Sequence, residues 1–205
     1  MFEELKGRAV RSIDEDSYRK FAVMAALVEK DGQLCVLFEE RASRLKRQPG
    51  EICFPRGARD GQETSRETAV RETCEELCIS RDQIQVIAQM DTLYTVYNNE
   101  VSVYLGRLTD YQMTFSRSEV GDVFLVPLKF FLETKPEVHQ IKILSQTQED
   151  FPYDKIPGGR DYYWRPGYKN VYFYTYGGRT IWGLTAYIMQ SIVSILKNET
   201  DTGGI

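Results

Sequence analysis

The sequence predicts a single α/β domain, and three segments lead to that fold class. Residues 21–28 form an uninterrupted apolar run, which is typical of a β-strand buried on both faces. Residues 64–78 and 184–197 instead place their apolar side chains at helical spacing. The combination of a doubly buried strand with amphipathic helices favours a sheet covered by helices.

The other elements follow in chain order from turn signals and strand patterns. Asp31-Gly32 favours a hairpin turn, so residues 33–39 are expected to return as the second strand. The first helix can begin at Thr64, because Glu67 stands three residues later at the spacing of a capping box. Further strand patterns lie at residues 51–54, 85–95, 101–108, 118–132 (with a short helical continuation) and 168–176.

The chain shows no internal repeat, low-complexity tract or interdomain linker. Residues 1–20 are polar and charged and are expected to form an irregular arm or a short strand. Residues 198–205 are expected to form a flexible tail. We therefore predict one domain over residues 1–205.

Composition excludes several classes of function. The 205 residues carry 26 basic and 30 acidic side chains, a net charge of −4, which argues against a broad nucleic-acid or membrane surface but leaves room for a local basic pocket. His139 is the one histidine. A histidine-built metal site within one chain is therefore excluded, and a serine or cysteine triad is disfavoured. Acids, bases and ligands are expected to be carboxylates.

The cysteines and the chain termini bear on the compartment. We interpret the four cysteines as small packing residues in a reducing cytosol, because a zinc site at Cys74 and Cys78 would need a second pair of ligands at suitable spacing. No signal peptide and no apolar stretch of about 18 residues is visible. A soluble, cytoplasmic protein is expected, without a membrane or nucleic-acid partner.

A cluster of glutamates in the first predicted helix carries the strongest chemical signal. Glu72 and Glu76 are four residues apart and share a helix face, with Glu75 beside them. Such a cluster repels itself unless cations occupy it, and hard divalent cations prefer oxygen ligands. The alternative is a solvated acidic face with Arg66 and Arg71 as partners.

The spacing of this segment resembles the Nudix box, G-x5-E-x7-R-E-U-x-E-E-x-G-U, where U is a bulky apolar residue. Thr73 is a weak match at an apolar position, and Cys78 replaces the usual glycine, so a slightly different helix exit is expected there. The resemblance implies a Nudix fold, a mixed β-sheet between helices (α/β/α), with the box as a loop–helix–loop. The matching residues are Gly57, Glu63, Arg71, Glu72, Glu75, Glu76 and Ile79.

The same resemblance implies a Mg²⁺ or Mn²⁺ site and roles for its residues. Glu72 and Glu76 would be the main metal ligands, and Glu75 a further ligand or a contact to metal-bound water in catalysis. Glu63 joins this metal-binding set and, with Arg71, would brace the loop and helix. Arg71 is also expected among the catalytic residues. Glu119 lies where family members often carry a general base; the alternative is a surface glutamate in a loop.

A second motif points to a substrate. Residues 41–57 resemble the pattern R-[S/A]-x3-R-x3-G-x3-F-P-G-G, which marks coenzyme A diphosphatases within the Nudix family. Lys46 replaces the second arginine, and Arg56 replaces the first glycine of the final pair. Basic side chains here suit a diphosphate, although a solvated loop is the alternative. The expected substrate-binding residues are Arg41, Lys46, Phe54, Arg56 and Gly57.

These patterns leave three hypotheses. The first is metal-dependent hydrolysis of coenzyme A or acyl-CoA to 3′,5′-ADP and a 4′-phosphopantetheine product. The second is hydrolysis of another nucleoside diphosphate derivative, because residues 91–103 lack the proline-containing loop of the coenzyme A subgroup. The third is a Nudix-fold binding module with little catalysis. A small nucleotide diphosphate is the expected partner, and a homodimer is possible by resemblance.

Overall fold

The computed structural model describes residues 6, 7, 9, 13 and 15–202. Three α-helices are present in this part of the chain: α1 (Ser65–Leu77), α2 (Leu128–Glu133) and α3 (Gly183–Thr202). The strands are β1 (Arg19–Lys30), β2 (Gln33–Arg41), β3 (Ile52–Cys53), β4 (Arg56–Ala58), β5 (Ile84–Gln89), β6 (Leu93–Tyr94), β7 (Asn99–Leu108), β8 (Val120–Pro127), β9 (Glu137–Ile143), β10 (Gly167–Tyr176) and β11 (Arg179–Trp182).

The main sheet is mixed, as the Nudix resemblance implies. Its central order is β3-β2-β1-β7-β5, while β4 pairs with β1, β6 with β7 and β8 with β2. β1 and β7 run parallel over ten residue pairs, and β2, β4 and β5 add antiparallel ladders. The short β4 is thereby fixed beside the first half of β1, with Gly57 opposite Ala22.

Helices cover both faces of this sheet, and β1 shows why. Val23, Ala25 and Leu27 point into a core shared with α2 and α3. Ala22 and Met24 point the opposite way, into a core shared with α1. A strand with two apolar faces requires two covering layers, so the predicted α/β/α arrangement is confirmed.

A second, three-stranded antiparallel sheet of order β11-β10-β9 follows in the chain. Tyr174 of β10 and Ile181 of β11 enter the same core as α3. The sequence pattern predicts β10 but misses β9, because β9 is exposed along almost its whole length and carries no inward apolar alternation. His139 lies on β9, outside every motif, where its exposed ring bonds to Glu137 at 2.5 Å.

The predicted ends of the chain are only partly described. Within the predicted N-terminal arm, a short 3-10 turn occupies Glu15–Ser17 and β1 starts at Arg19, while residues 1–5, 8, 10–12 and 14 lie outside the described residues. The last helix continues to Thr202, five residues beyond its predicted end, and residues 203–205 lie outside. The single domain over 1–205 stays a prediction.

Candidate active site

The start of α1 is fixed by the capping box that the sequence predicts. The Glu67 backbone N–H donates to Thr64 Oγ1 at 3.2 Å, and the Thr64 backbone N–H donates to Glu67 Oε2 at 2.8 Å. These two bonds satisfy helix N–H groups that would otherwise lack partners. The cap therefore sets which residues of α1 face the preceding loop.

The end of α1 corrects one expectation. Cys78 adopts the left-handed conformation, with φ 53° and ψ 46°, and the Ile79 backbone N–H donates to the Cys74 carbonyl at 3.1 Å. This is the exit that glycine ordinarily makes. The expected deviation is therefore wrong: the backbone keeps the usual geometry, and Cys78 accepts the steric cost of a positive φ.

Arg71 lies at the centre of a group of hydrogen-bonded carboxylates on and beside α1. Its Nε and Nη2 bind both oxygens of Glu63, at 2.8 and 3.1 Å. Its Nη1 donates to Glu72 Oε1 at 2.7 Å and to Glu75 Oε2 at 3.2 Å, and Nη2 also reaches the Ala58 carbonyl at 3.2 Å. One guanidinium thus gathers three carboxylates and ties α1 to β4.

Glu63 is the most heavily bonded of these carboxylates. Besides Arg71, its Oε2 accepts from the Thr68 hydroxyl at 3.0 Å and from the Asp60 backbone N–H at 3.3 Å. The hydrogen bond from Arg71 is the main reason that the pKa of Glu63 falls to about 2. Both of its oxygens are engaged, so the geometry favours the bracing role of Glu63 over a ligand role.

The absence of a side chain at Gly57 leaves space for the Glu72 carboxylate. A Cβ atom on Gly57 would stand 1.9 Å from Glu72 Cδ and 2.0 Å from its Oε1, far inside any real contact. The Glu72 carboxylate therefore lies directly against the β4 backbone, where only glycine leaves room. Burial raises the pKa of Glu72, although Arg71 opposes that rise.

Glu76 is the most deeply buried of the three helix glutamates. It is 2% exposed, and its Oε2 accepts a hydrogen bond from the Arg56 backbone N–H at 2.8 Å. Burial raises the pKa of Glu76 to about 7, and the negative charges of Glu72 and Glu119 add to the effect. A buried carboxylate that faces other carboxylates is a position where a cation is strongly favoured.

Glu39 is a buried acid that the sequence reasoning missed. It lies on β2, is 1% exposed, and its Oε1 has no hydrogen-bond partner among the described residues. Burial, followed by the adjacent Glu76, raises its pKa well above the usual range. The sequence does contain a pattern that indicates this burial. Glu39 follows Leu37 by two residues and so shares its face of β2, where the other inward side chains are apolar.

The donor set suits a hard divalent cation. Glu72, Glu75 and Glu76 offer carboxylate oxygens, the ligand type that Mg²⁺ and Mn²⁺ prefer. In the conformation described, Glu72 and Glu75 are turned to Arg71, and no three Cys, His, Asp or Glu side chains of the described residues form a complete metal cage. Two observations support the fit of these residues to such an ion. The Glu72 carboxylate lies against the backbone at Gly57, and neighbouring negative charges raise the pKa of Glu76.

Glu119 lies at the rim of this acidic group. Its loop is fastened to α1 by the Ser116 N–H, which donates to the Glu76 carbonyl at 2.8 Å. It is also fastened to the loop at residues 42–50, since the Ala42 N–H donates to the Glu119 carbonyl at 2.9 Å. The exposed Glu119 carboxylate is close enough to raise the pKa of both Glu72 and Glu76. The structure thus brings the predicted base beside the predicted ligands.

The basic loop, residues 42–50, borders the site on the other side. The Arg44 Nε donates to the Ser118 carbonyl at 3.4 Å, and the Gly50 N–H to the Arg41 carbonyl at 3.0 Å. Arg41 is half-buried, and its Nε is enclosed without a hydrogen-bond partner among the described residues. Lys46 is exposed on this loop.

Phe54 and Arg56 flank Pro55 but have different surroundings. Phe54 is 1% exposed and packs on Phe38, with ring centroids 4.9 Å apart, so its placement gives it a packing role in place of the substrate contact that the motif suggests. Arg56 is half-buried, and its Nη2 donates to Gln48 Oε1 at 2.8 Å. Arg56 therefore belongs with the basic side chains that border the site, which we call the basic mouth.

Two further segments, residues 91–103 and the tyrosine-rich residues 154–168, lie elsewhere. The composition of the second segment allows either stacking on a nucleotide base or simple loop packing. Residues 90–92 separate β5 from β6 and, with Leu93, α3 and β10, line a cavity of about 340 Å³. Trp164 of the second segment packs against Tyr162, and against Phe151 just before the segment, at ring separations of 5.0 and 5.7 Å. The aromatic residues of 154–168 thus favour loop packing over the stacking on a base that their composition also allowed.

The fold and this site define an α/β/α domain with an acidic loop–helix–loop beside a basic mouth. The family model described as the NUDIX domain matches residues 18–148. The chain therefore belongs to the Nudix family, as its sequence resemblance indicates, and is a Nudix hydrolase. No helix in the described part of the chain has the length and apolarity needed to span a membrane.

Comparisons with individual proteins agree with this assignment. The chain is 37% identical over 139 residues to the mouse peroxisomal coenzyme A diphosphatase NUDT7, a match that covers 66% of this chain and 57% of the mouse protein. It is 25% identical over 200 residues to Nudix hydrolase 3 of Caenorhabditis elegans, covering 91% of this chain and 77% of the worm protein. A MutT/nudix family crystal structure from Enterococcus faecalis shares the fold, with 14% identity, a TM-score of 0.50, and coverage of 96% of this chain and 68% of that one.

Proposed function

We propose that the protein hydrolyses the diphosphate bond of coenzyme A or acyl-CoA, giving 3′,5′-ADP and a 4′-phosphopantetheine product. The observation that carries the proposal is the junction at residues 56–57, where the β4 backbone contacts both Glu72 and Glu76 while the Arg56 side chain reaches the basic loop. An acidic cluster next to a cationic mouth suits a cation-bound diphosphate. The name of the mouse relative supports the choice of substrate.

The chemistry divides between the acidic helix and its neighbours. A divalent cation held by Glu72, Glu75 and Glu76 would neutralise phosphate charge and acidify a water molecule. Arg71, itself braced by Glu63 and Ala58, holds Glu72 and Glu75. The Arg56 backbone N–H holds Glu76. Attack of water on phosphorus forms one P–O bond and breaks the bridging P–O bond.

Glu119 is the proposed acceptor of the proton that the attacking water loses. Its carboxylate is exposed, so it can meet solvent, and its loop is anchored to α1 through Ser116. A general base needs both a fixed position and access to the water that it deprotonates. The position of Glu119 supports this role over that of an unrelated surface glutamate.

The basic mouth is the proposed binding surface for the substrate's phosphates. Arg41, Lys46 and Arg56 would supply the positive charge, and Arg56 directly precedes Gly57 in the chain. Guanidinium groups bind phosphate oxygens in a bidentate manner, whereas the lysine at position 46 acts as a point charge. Coenzyme A carries a diphosphate and a 3′-phosphate, and so needs several cations within reach.

A second candidate is hydrolysis of another nucleoside diphosphate derivative, such as ADP-ribose, a dinucleotide cofactor or a nucleotide sugar. Lys46 and Arg56 depart from the coenzyme A motif, and so do residues 91–103. The complete set of Glu63, Arg71 and the three helix glutamates argues against the third hypothesis, a binding module without catalysis.

Partners and compartment follow from the same proposal. The expected partner is a small nucleotide diphosphate, with no nucleic acid, and the possible homodimer stays a prediction. The expected cytoplasmic location also stays a prediction. The mouse relative has a peroxisomal name, and it extends well beyond the matched region, since the chain spans 57% of its length.

Product analysis tests the proposal. The protein is incubated with Mg²⁺ or Mn²⁺ and a panel of coenzyme A, acetyl-CoA, ADP-ribose, NADH and UDP-glucose, and the products are resolved by chromatography. We expect 3′,5′-ADP from coenzyme A at a kcat/KM well above that for ADP-ribose, and no turnover in excess EDTA. Preference for ADP-ribose would establish the second candidate, and binding without any turnover would establish the third.

A further inference from the structure

Arg56 joins the two halves of the site through two different groups. Its backbone N–H donates to Glu76 Oε2 at 2.8 Å, and its side-chain Nη2 donates to Gln48 Oε1 at 2.8 Å. Gln48 lies on the basic loop, eight residues earlier in the chain. One end of the Arg56 guanidinium is therefore held by a neutral side chain of the loop.

The guanidinium also lies close to the acidic group. Its positive charge acts to lower the pKa of Glu76 and of Glu39, against the larger effect of burial on both. A carboxylate in place of Gln48 would pair with Arg56 and cancel its charge. An amide oxygen orients the guanidinium and leaves the positive charge available to an anion.

The backbone of the basic loop aims Gln48 toward Arg56. Gln48 has a φ of 52°, in the left-handed region that few residues adopt without a local reason. The loop around it is held by the Glu51 N–H, which donates to the Gln48 carbonyl at 3.4 Å, and by Arg44, which reaches Ser118. The conformation of residue 48 is thus part of how the loop meets β4.

We propose that Gln48 is a positioning residue, which holds the Arg56 guanidinium between the glutamate cluster and the basic loop so that it binds the diphosphate of the substrate. The inference rests on the proposed function and deepens it. It assigns substrate affinity to a contact between two side chains, neither of which provides a carboxylate for catalysis. Gln48 acts through Arg56 and needs no contact with the substrate itself.

A double-mutant cycle tests this assignment. Methionine has nearly the length of glutamine and no amide oxygen, so Gln48→Met removes the acceptor at similar size and at the same backbone cost. We expect Gln48→Met to raise KM for coenzyme A about three- to tenfold with kcat within about twofold, as loss of one hydrogen bond of ordinary net strength predicts. Arg56→Met should raise KM further, and Gln48→Met/Arg56→Met should equal Arg56→Met alone.

A matched control and a binding measurement separate the possible failures. Gln140→Met, on the exposed β9, should change neither KM nor thermal stability. Calorimetric titration with inorganic pyrophosphate, in EDTA, reports the cationic mouth without turnover. There Gln48→Met should weaken binding by a factor similar to its effect on KM.

The outcomes distinguish the two proposals. If the wild-type protein hydrolyses no diphosphate but binds pyrophosphate with this same non-additive pattern, the proposed function fails and the positioning role stands. Additive effects of the two variants, an unchanged KM in Gln48→Met, a fall confined to kcat, or no pyrophosphate binding by the wild type would each overturn the positioning role.

Discussion

The acidic helix α1 and the basic loop at 42–50 face each other across the site, yet they are held in very different ways. Arg71 makes hydrogen bonds to three glutamates and to a carbonyl of β4, and Thr64 caps the helix. The basic loop is exposed at most positions, and Arg44 and Gln48 connect its side chains to other segments. Rigid carboxylates suit chemistry that is common to a family, whereas a lightly held loop suits the selection of one substrate.

The largest effect is expected on the acidic side, from Glu76→Gln. The amide keeps the shape and can still accept the hydrogen bond from the Arg56 N–H, but it loses the negative charge offered to a cation. We expect kcat to fall by several orders of magnitude while the circular dichroism spectrum and Tm stay near wild type.

Glu133→Gln, an exposed glutamate on α2, is the matched control for this change. It alters the net charge equally and should leave kcat unchanged. Near-normal turnover in Glu76→Gln would remove the assigned metal-binding role of α1, and with it the proposed division between the two regions.

Gly57→Ala tests the contact between β4 and α1. The added methyl group would overlap Glu72 Cδ, so either the carboxylate or β4 must move. We expect an unfolding free energy lower by about 1–3 kcal/mol, the usual cost of overpacking, and a kcat reduced by about a hundredfold, as expected from misplacement of a reacting group. Urea titration and steady-state kinetics measure both.

The clash can be removed in a second background. Glu72→Ala deletes the overlapping carboxylate, so Gly57→Ala should cost little stability in that variant. Gly167→Ala, whose Cβ would meet only an ordinary contact at 3.7 Å, is the matched control. An equal cost of Gly57→Ala with and without Glu72 would show that backbone freedom, and not this contact, requires the glycine.

On the basic side, Arg41→Ala should change affinity more than rate. We expect KM for coenzyme A to rise about tenfold, the loss of one charge-assisted contact, with a smaller rise for a substrate without a 3′-phosphate such as ADP-ribose. Comparison of KM for the two substrates makes the measurement. The same rise for both would mean that Arg41 does not distinguish the 3′-phosphate side.

The smallest effect is expected at the end of α1, from Cys78→Gly. Glycine removes the steric cost of the left-handed φ at this position but adds freedom to the unfolded chain, so a net gain of roughly 0.5–1 kcal/mol in unfolding free energy is expected. Cys78→Ala removes the thiol and retains the Cβ, so it should show no such gain in the same urea titration. Equal stability of both variants would contradict the steric explanation.

The sequence predicted those parts of the molecule that depend on the spacing of nearby residues. The capping box at Thr64, the buried β1 and the register of Glu72 with Glu76 all depend on spacing along the chain, and the structure confirms these elements. The Nudix resemblance supplied the mixed sheet and the two helical layers, which the family match confirms. The roles of the site residues stay predictions until they are tested by mutation.

Contacts between residues that are far apart in the chain could not be predicted from the sequence. Glu39 meets Glu76 because β2 pairs with β1, the strand on which α1 packs, and no local pattern indicates this contact. Exposed β9 lacks apolar alternation and becomes a strand through pairing with β10. Phe54 matches a motif associated with substrate, but its burial against Phe38 depends on the packing of β2 and α2.

The grouping of three carboxylates around Arg71 also has a consequence for how the protein exists before it meets an ion. The Arg71 guanidinium offsets part of the negative charge of the loop–helix–loop. The capping box and the bonds of Glu63 hold the loop–helix–loop together. The site thus takes its shape from the chain itself, unlike small domains that fold only when a metal arrives. On the proposed function, loading and loss of the cation would therefore be local, reversible events on a folded protein, and activity would follow the supply of the cation without rebuilding of the molecule.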